Sequence, residues 1–240
     1  MLKIFALIGS PRKKSISNTA ALTVIMLNKL KEMGLDFEYE LYSAGDLNIS
    51  FCTGCGSCTS TGKCVLDKKD DVGMLKEKIL AADVVIWGSP VYTYSVSGQM
   101  KVIMDRFCSW YHVMPLLGKL SISVATAGYD GFEQVHNLND ALLSVLGAPV
   151  ISKFEALGHN GGLIPGAKAS AFKAAEEIYP YISGDKKFKT SETMEYIYKI
   201  MKSKVDGLKE YMPRAYNHWV ETGMNKCNSF EELYKLKSKF

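Results

Sequence analysis

Apolar residues fall along this chain in two alternating rhythms. Short β-branched or aliphatic runs at Leu2–Ile8, Phe37–Tyr42, Val84–Gly88, Leu120–Ala125 and Pro149–Glu155 predict strands. Between them, apolar positions recur three and four residues apart, as at Leu22, Ile25, Met26 and Leu30. That spacing predicts helices over Thr19–Met33, Val72–Ala81, Gly98–Phe107, Phe132–Leu146 and Ala167–Tyr179. Apolar strands alternating with helices imply βαβ units and a parallel sheet covered on both faces. The expected fold class is α/β: a doubly wound three-layer sandwich with five parallel strands in the order 2-1-3-4-5.

After Gly184 the rhythm is helical only. Met194, Ile197, Tyr198, Met201, Val205 and Leu208 form one amphipathic stripe, and Pro213 interrupts it. Ser229 opens "SFEE", which puts Glu232 at the capping-box position of a further short helix. The expected division is 1–184 for the sandwich and 185–240 for a helical extension. The extension would dock its stripe on the core or on a second subunit.

Composition narrows the class. Over 240 residues, 47% hydrophobic and 22% charged is ordinary globular usage. No apolar run approaches the roughly 20 residues needed to span a bilayer. The run opening the chain is too short for a signal peptide, and its charges follow it instead of preceding it. A cytoplasmic protein without a membrane partner is expected. The net charge of +4 lies wholly in the tail, where 12 Lys/Arg face 8 Asp/Glu, while residues 1–184 hold 17 of each sign. A solvated helical face accounts for so mild an excess. No basic run is interleaved with aromatics, so nucleic acid is not an expected partner.

Two loops begin alike. The first strand ends in "GSPRKKSISNTAAL", which is neither a dinucleotide fingerprint nor a P-loop. It offers Ser10, Ser15, Ser17, Asn18 and Thr19 with Arg12 at the mouth of a helix, where free N–H groups and the helix dipole favour an anion. One such residue suffices to cap a helix; so many suit a terminal phosphate. The third strand ends in "GSPVYTYSVSGQMKVIMDRF". In the expected order the chain reverses between strands one and three, so both loops face one crevice at the carboxyl ends. Pro90, Tyr92, Thr93, Tyr94 and Ser95 there suit a flat heteroaromatic ring. "TAGYDGFEQ" after the fourth strand adds Gly128 and Gly131, which allow close backbone approach.

These paired motifs resemble the NADPH-dependent FMN reductase branch of the flavodoxin-like superfamily over roughly residues 1–180. The resemblance implies FMN, with its phosphate held by Ser10, Arg12, Ser15, Ser17, Asn18 and Thr19. The isoalloxazine would lie against Pro90, Val91, Tyr92, Thr93, Tyr94 and Ser95 and against Thr126, Ala127, Gly128, Tyr129 and Asp130. It further implies a homodimer or homotetramer in which Phe107–Pro115 helps to wall the flavin pocket, with NAD(P)H as donor and a small-molecule acceptor. Lys13 and Lys14 are the only hint of a 2′-phosphate site, so NADPH and NADH both stand.

Cys52, Cys55, Cys58 and Cys64 lie in "CTGCGSCTSTGKC" with the spacing C-x2-C-x2-C-x5-C. Three cysteines at x2 intervals are the opening of [4Fe–4S] loops. The loop is too compact for an ordinary structural zinc site, and lasting disulfides conflict with a cytosolic location. Free thiols are the plain alternative. The spacing also resembles that of the iron–sulfur flavoproteins, a subgroup of the same family, which implies a ferredoxin-like donor. Cys108 and Cys227 are expected to be isolated buried hydrophobes. The four histidines form no ligand pair, although His159 in "GHNGG" is placed to sit near a ligand. No side chain presents itself as nucleophile or general base, and the flavin is expected to carry the chemistry.

Overall fold

The computed structural model describes residues 1–160 and 162–240. Its sheet is organised by the first apolar run. Ile4 to Ile8 are all buried, with Ile4, Ala6 and Ile8 turned to one face and Phe5 and Leu7 to the other. A strand apolar on both faces belongs inside a parallel sheet.

The strands are β1 (Leu2–Ile8), β2 (Phe37–Ser43), β3 (Val84–Tyr92), β4 (Ser95–Val96), β5 (Leu120–Ala127), β6 (Val150–His159) and β7 (Gly162–Leu163). The parallel strands run in the order β2-β1-β3-β5-β6, the expected arrangement. The sheet counts seven strands because β4 and β7 add short antiparallel pairings to β3 and β6. Four strands outrun their predicted ends: β2 to Ser43, β3 to Tyr92, β5 to Ala127 and β6 to His159. Continued ladder pairing, such as Pro90 with Thr126 and Ala127 with Leu157, carries the ends of β3, β5 and β6 onward.

The helices are α1 (Asn18–Glu32), α2 (Ser57–Thr61), α3 (Val72–Ala81), α4 (Gly98–Arg106), α5 (Phe132–Val145), α6 (Ala167–Ile182), α7 (Glu192–Gly207), α8 (Pro213–Glu221) and α9 (Phe230–Lys237). α1 and α6 cover the Ile4 face, and α3, α4 and α5 cover the Phe5 face. α5 also supplies His136, which is buried against Ser123 (2.8 Å) and Glu155 (3.1 Å).

The tail docks on this chain's own core. Met194, Tyr198, Met201 and Val205 of α7 join the apolar cluster under α1 and α6, together with Trp219 and Phe230. Trp219 Nε1 donates to the His112 carbonyl at 2.7 Å. Ser229 caps α9, and Glu232 reaches back to the Asn228 N–H at 2.8 Å. Pro213 does not merely interrupt; it opens α8 at its first turn, where a missing N–H costs nothing.

Candidate functional site

The two similar loops meet at the carboxyl edge of the sheet. Gly9 N–H donates to the Gly88 carbonyl at 2.7 Å, and Ser97 Oγ, the cap of α4, donates to the Gly9 carbonyl. A side chain at Gly9 would collide with Met100, so glycine is required for this approach.

The first loop is braced from β2. Ser43 Oγ donates to the Arg12 carbonyl at 2.7 Å, Gly45 N–H donates to the Ser10 carbonyl at 2.8 Å, and Asp46 accepts from the Lys14 N–H at 2.7 Å. Ser17 is a helix cap, taking the Ala20 N–H at 3.3 Å. The N–H groups of Asn18 and Thr19 are left without intrahelical partners, as at every helix start. Thr19 Oγ1 meets Thr126 Oγ1 at 2.6 Å, tying α1 to the end of β5.

Above these residues opens a cleft of about 280 Å³ lined by Ser10, Arg12, Asn18, Thr19, Pro90, Val91, Tyr92, Thr126, Ala127 and Gly128. All ten were legible as candidates in the sequence. Gly158, His159 and Asn160 complete it from the end of β6. Of these the sequence pointed only to His159, through "GHNGG"; the polar residues after the last parallel strand were the available signal. The two sides are tied across the mouth. Arg12 donates to Asn160 Oδ1 at 2.6 Å, and Asn18 Nδ2 donates to the His159 carbonyl at 3.0 Å.

The remaining candidates surround the cleft without lining it. Ser15 is exposed in the short turn Lys14–Ile16. Thr93 and Tyr94 form the turn between β3 and β4, with φ of 51° and 55°, the geometry of a two-residue hairpin turn. Neither is glycine, so the turn is strained by about 1–3 kcal/mol per residue. Tyr94 Oη donates to Asp130 at 3.1 Å, and that carboxylate holds the phenol above its usual pKa. Ser95 and Tyr129 are exposed at the rim. Phe107, Trp110, Val113 and Met114 are buried in this chain's core and do not reach the cleft.

None of the cysteines lines the cleft. Their loop leaves the end of β2 and packs beside the end of α4, where Arg106 holds both of its bases. This guanidinium is buried and donates to the Ser50 carbonyl (3.0 Å), to Asp70 (2.5 Å) and to Asp67 (3.1 Å). Burial raises the Asp70 carboxyl, but hydrogen bonds from Arg106 and from the Ser50 and Val72 N–H groups outweigh it and hold its pKa below the usual range.

Gly54 and Gly56 turn the loop at φ of 65° and 71°. The Ser57 N–H and the Thr53 hydroxyl converge on Cys55 and lower its pKa, and N–H groups aimed at sulfur also suit a cluster ligand. The donor set is thus of the right chemistry for an iron–sulfur group. Among the described residues, however, no three His, Cys, Asp or Glu side chains are gathered as metal ligands. All six cysteines are unpaired. Cys227 is buried, as expected. Cys108 is not: it is exposed, and it sits beside Cys58 and Cys52 because the turn after α4 packs against α2.

The NADPH-dependent FMN reductase family matches residues 2–162, the whole extent of the cleft. The chain belongs to this family. An iron-sulfur flavoprotein of Archaeoglobus fulgidus is 31% identical over 229 residues, covering 92% of this chain and 99% of that protein. An NADH:FMN oxidoreductase in its apo form superposes with a TM-score of 0.56 at 18% identity, over 81% of this chain and 94% of the other. An FMN-dependent NADH-azoreductase of Bacillus anthracis, in complex with FMN, gives 0.56 at 15% identity, over 75% and 98%. Membership of the FMN reductase family makes this chain an FMN-dependent oxidoreductase. Among the described residues no helix is long and apolar enough to cross a membrane.

Proposed function

We propose that this chain transfers reducing equivalents from NAD(P)H through FMN to a small-molecule acceptor. The observation that carries the proposal is the convergence of a helix start, an arginine and three strand ends on one cleft. Arg12, Ser10 and the free N–H groups of Asn18 and Thr19 would hold the phosphate, with Ser17 setting the helix start and Ser15 approaching from outside. Pro90, Val91 and Tyr92 would wall one side of the ring and Thr126, Ala127 and Gly128 the other; Thr93, Tyr94, Ser95, Tyr129 and Asp130 would form the rim. When bound there, FMN supplies the ring that accepts hydride from the nicotinamide and returns electrons to the acceptor. The protein's own part is position: the Arg12–Asn160 and Asn18–His159 bonds fix the phosphate side, and the Thr19–Thr126 bond fixes the floor. Residues 1–184 would bind flavin, and 185–240 would brace the sheet. The test is flavin preference: FMN should bind at least about tenfold more tightly than riboflavin, since a hydrogen bond to a charged group is worth about 1.5–3 kcal/mol. Equal affinity for both flavins would overturn this assignment of the phosphate loop.

A second reading is supported by the cysteine loop and by likeness to an iron-sulfur flavoprotein over nearly the whole chain. In it Cys52, Cys55, Cys58 and Cys64 would hold a [4Fe–4S] cluster, which would supply one-electron chemistry for a ferredoxin-like donor. The thiols would have to turn inward, and the glycines at 54, 56 and 62 leave the loop free to do so. Iron and acid-labile sulfide in protein purified without oxygen, lost in Cys55→Ser while FMN stays bound, are the expected results. Iron-free protein under those conditions would remove this reading and leave the first.

A further inference from the structure

The turn after α4 packs against α2, so Cys108 lies beside the four-cysteine loop. Cys108 follows Arg106 by two residues and opens the turn Cys108–Trp110. Its thiol is exposed, and Cys58, on the first turn of α2, is partly exposed beside it. Packing of this turn against α2 sets Cys58 beside Cys108, and Cys52 also lies near. Their backbones are set independently. Cys108 is fixed by Phe107 and Trp110, both buried and stacked edge to face at 4.7 Å. Cys58 is held by a short helix between two left-handed glycines, Gly56 and Gly62. A thiol anchored by buried aromatics thus lies beside one on a short helix between two glycines, an arrangement suited to reversible covalent pairing.

We infer that Cys58 and Cys108 form a reversible disulfide site, oxidised by a small-molecule disulfide of the glutathione type. One thiol attacks the exogenous disulfide, forming a mixed disulfide and releasing one small thiol. The second protein thiol then displaces the other small thiol and closes the Cys58–Cys108 bond. Two protein thiols are oxidised, one exogenous disulfide is reduced, and the protons leave with the two small thiols. Closure pins α2 to the end of α4 and removes Cys58 from the four-cysteine set. The pairing does not depend on the iron–sulfur reading; its consequence for loading a cluster does.

The experiment treats the full-length, reduced, iron-free protein with oxidised glutathione, alkylates the remaining thiols and maps the peptides by mass spectrometry. Trypsin leaves Cys52, Cys55 and Cys58 on one peptide, Cys64 on the next and Cys108 on a third, so any bond to Cys108 is visible. Alkylation of Cys108 should fall by about tenfold and recover on reduction. The bond should vanish in Cys58→Ser and persist in Cys52→Ser and Cys55→Ser. Full alkylation of Cys108, or a bond to it that survives Cys58→Ser, would overturn the pairing. Iron and sulfide uptake is assayed in parallel. If reduced protein loads, the crosslinked form should load about tenfold less until reduced. If reduced protein never loads, the iron–sulfur reading fails while the peptide map still decides the pairing.

Discussion

Gly9 and Gly88 are joined by a 2.7 Å hydrogen bond, so the two loops that open with the same three residues are neighbours in space. The closeness leaves no room for a methyl group. A Cβ at Gly9 would strike Met100, and one at Gly88 would lie 2.8 Å from Ile8 Cδ1 and 3.0 Å from Thr19 Cγ2. Gly9→Ala should therefore destabilise the protein by about 1–3 kcal/mol, the usual range for overpacking. A thermal melt checks this, and an unchanged Tm would mean that α4 yields without cost.

Gly158 offers a gentler perturbation. Its Cβ would approach Asn18 Nδ2 at 2.6 Å, and that amide end can swing away. Gly158→Ala should keep the fold but break the bond from Asn18 to the His159 carbonyl. Arg12→Ala removes the only cation that lines the cleft among the described residues. Each should weaken FMN about tenfold or more, and Arg12→Ala should leave riboflavin affinity nearly unchanged, as read by flavin fluorescence quenching.

The Arg106 clamp predicts an acid limit. Asp70 has a folded-state pKa below its unfolded value of about 3.9. Its contribution is therefore complete above that value and is lost as pH falls through the folded pKa. Hydrogen exchange, corrected for intrinsic rates, should show the Ser50 and Val72 amides losing protection below about pH 4 while β1 stays protected. Arg106→Ala, which strands the buried Asp70 carboxylate, should cost about 3–5 kcal/mol at neutral pH.

The tail is part of the core. Trp219 is buried, stacks on Tyr198 at 5.8 Å and bonds to His112. Trp219→Ala should cost about 3–5 kcal/mol in a chemical denaturation series. A loss well below that would mean that α8 merely rests on the surface.

The sequence was most readable where a single rhythm governs. β1 and α3 have the predicted ends, because apolar runs there stop where burial stops. The sheet order and the facing loops follow from the alternation of strands and helices. β3 outran its prediction because ladder pairing continues past Gly88 into a turn at Thr93 and Tyr94, two residues with no glycine to announce it. Asn160 lines the site and bonds Arg12 across 148 residues of sequence, a pairing that the polar run after the last parallel strand does not specify. Cys108 was misread for the same reason: isolation in sequence says nothing about which loop packs against α4.

The proposed function requires the cleft to hold FMN and to pass on electrons from a nicotinamide. The most direct measurement is an anaerobic titration of the FMN-loaded chain with NADH and, separately, NADPH, followed by flavin absorbance. At least one of them should bleach the flavin stoichiometrically, and added acceptor should restore the colour. A bound flavin that stays oxidised with both nicotinamides would contradict it.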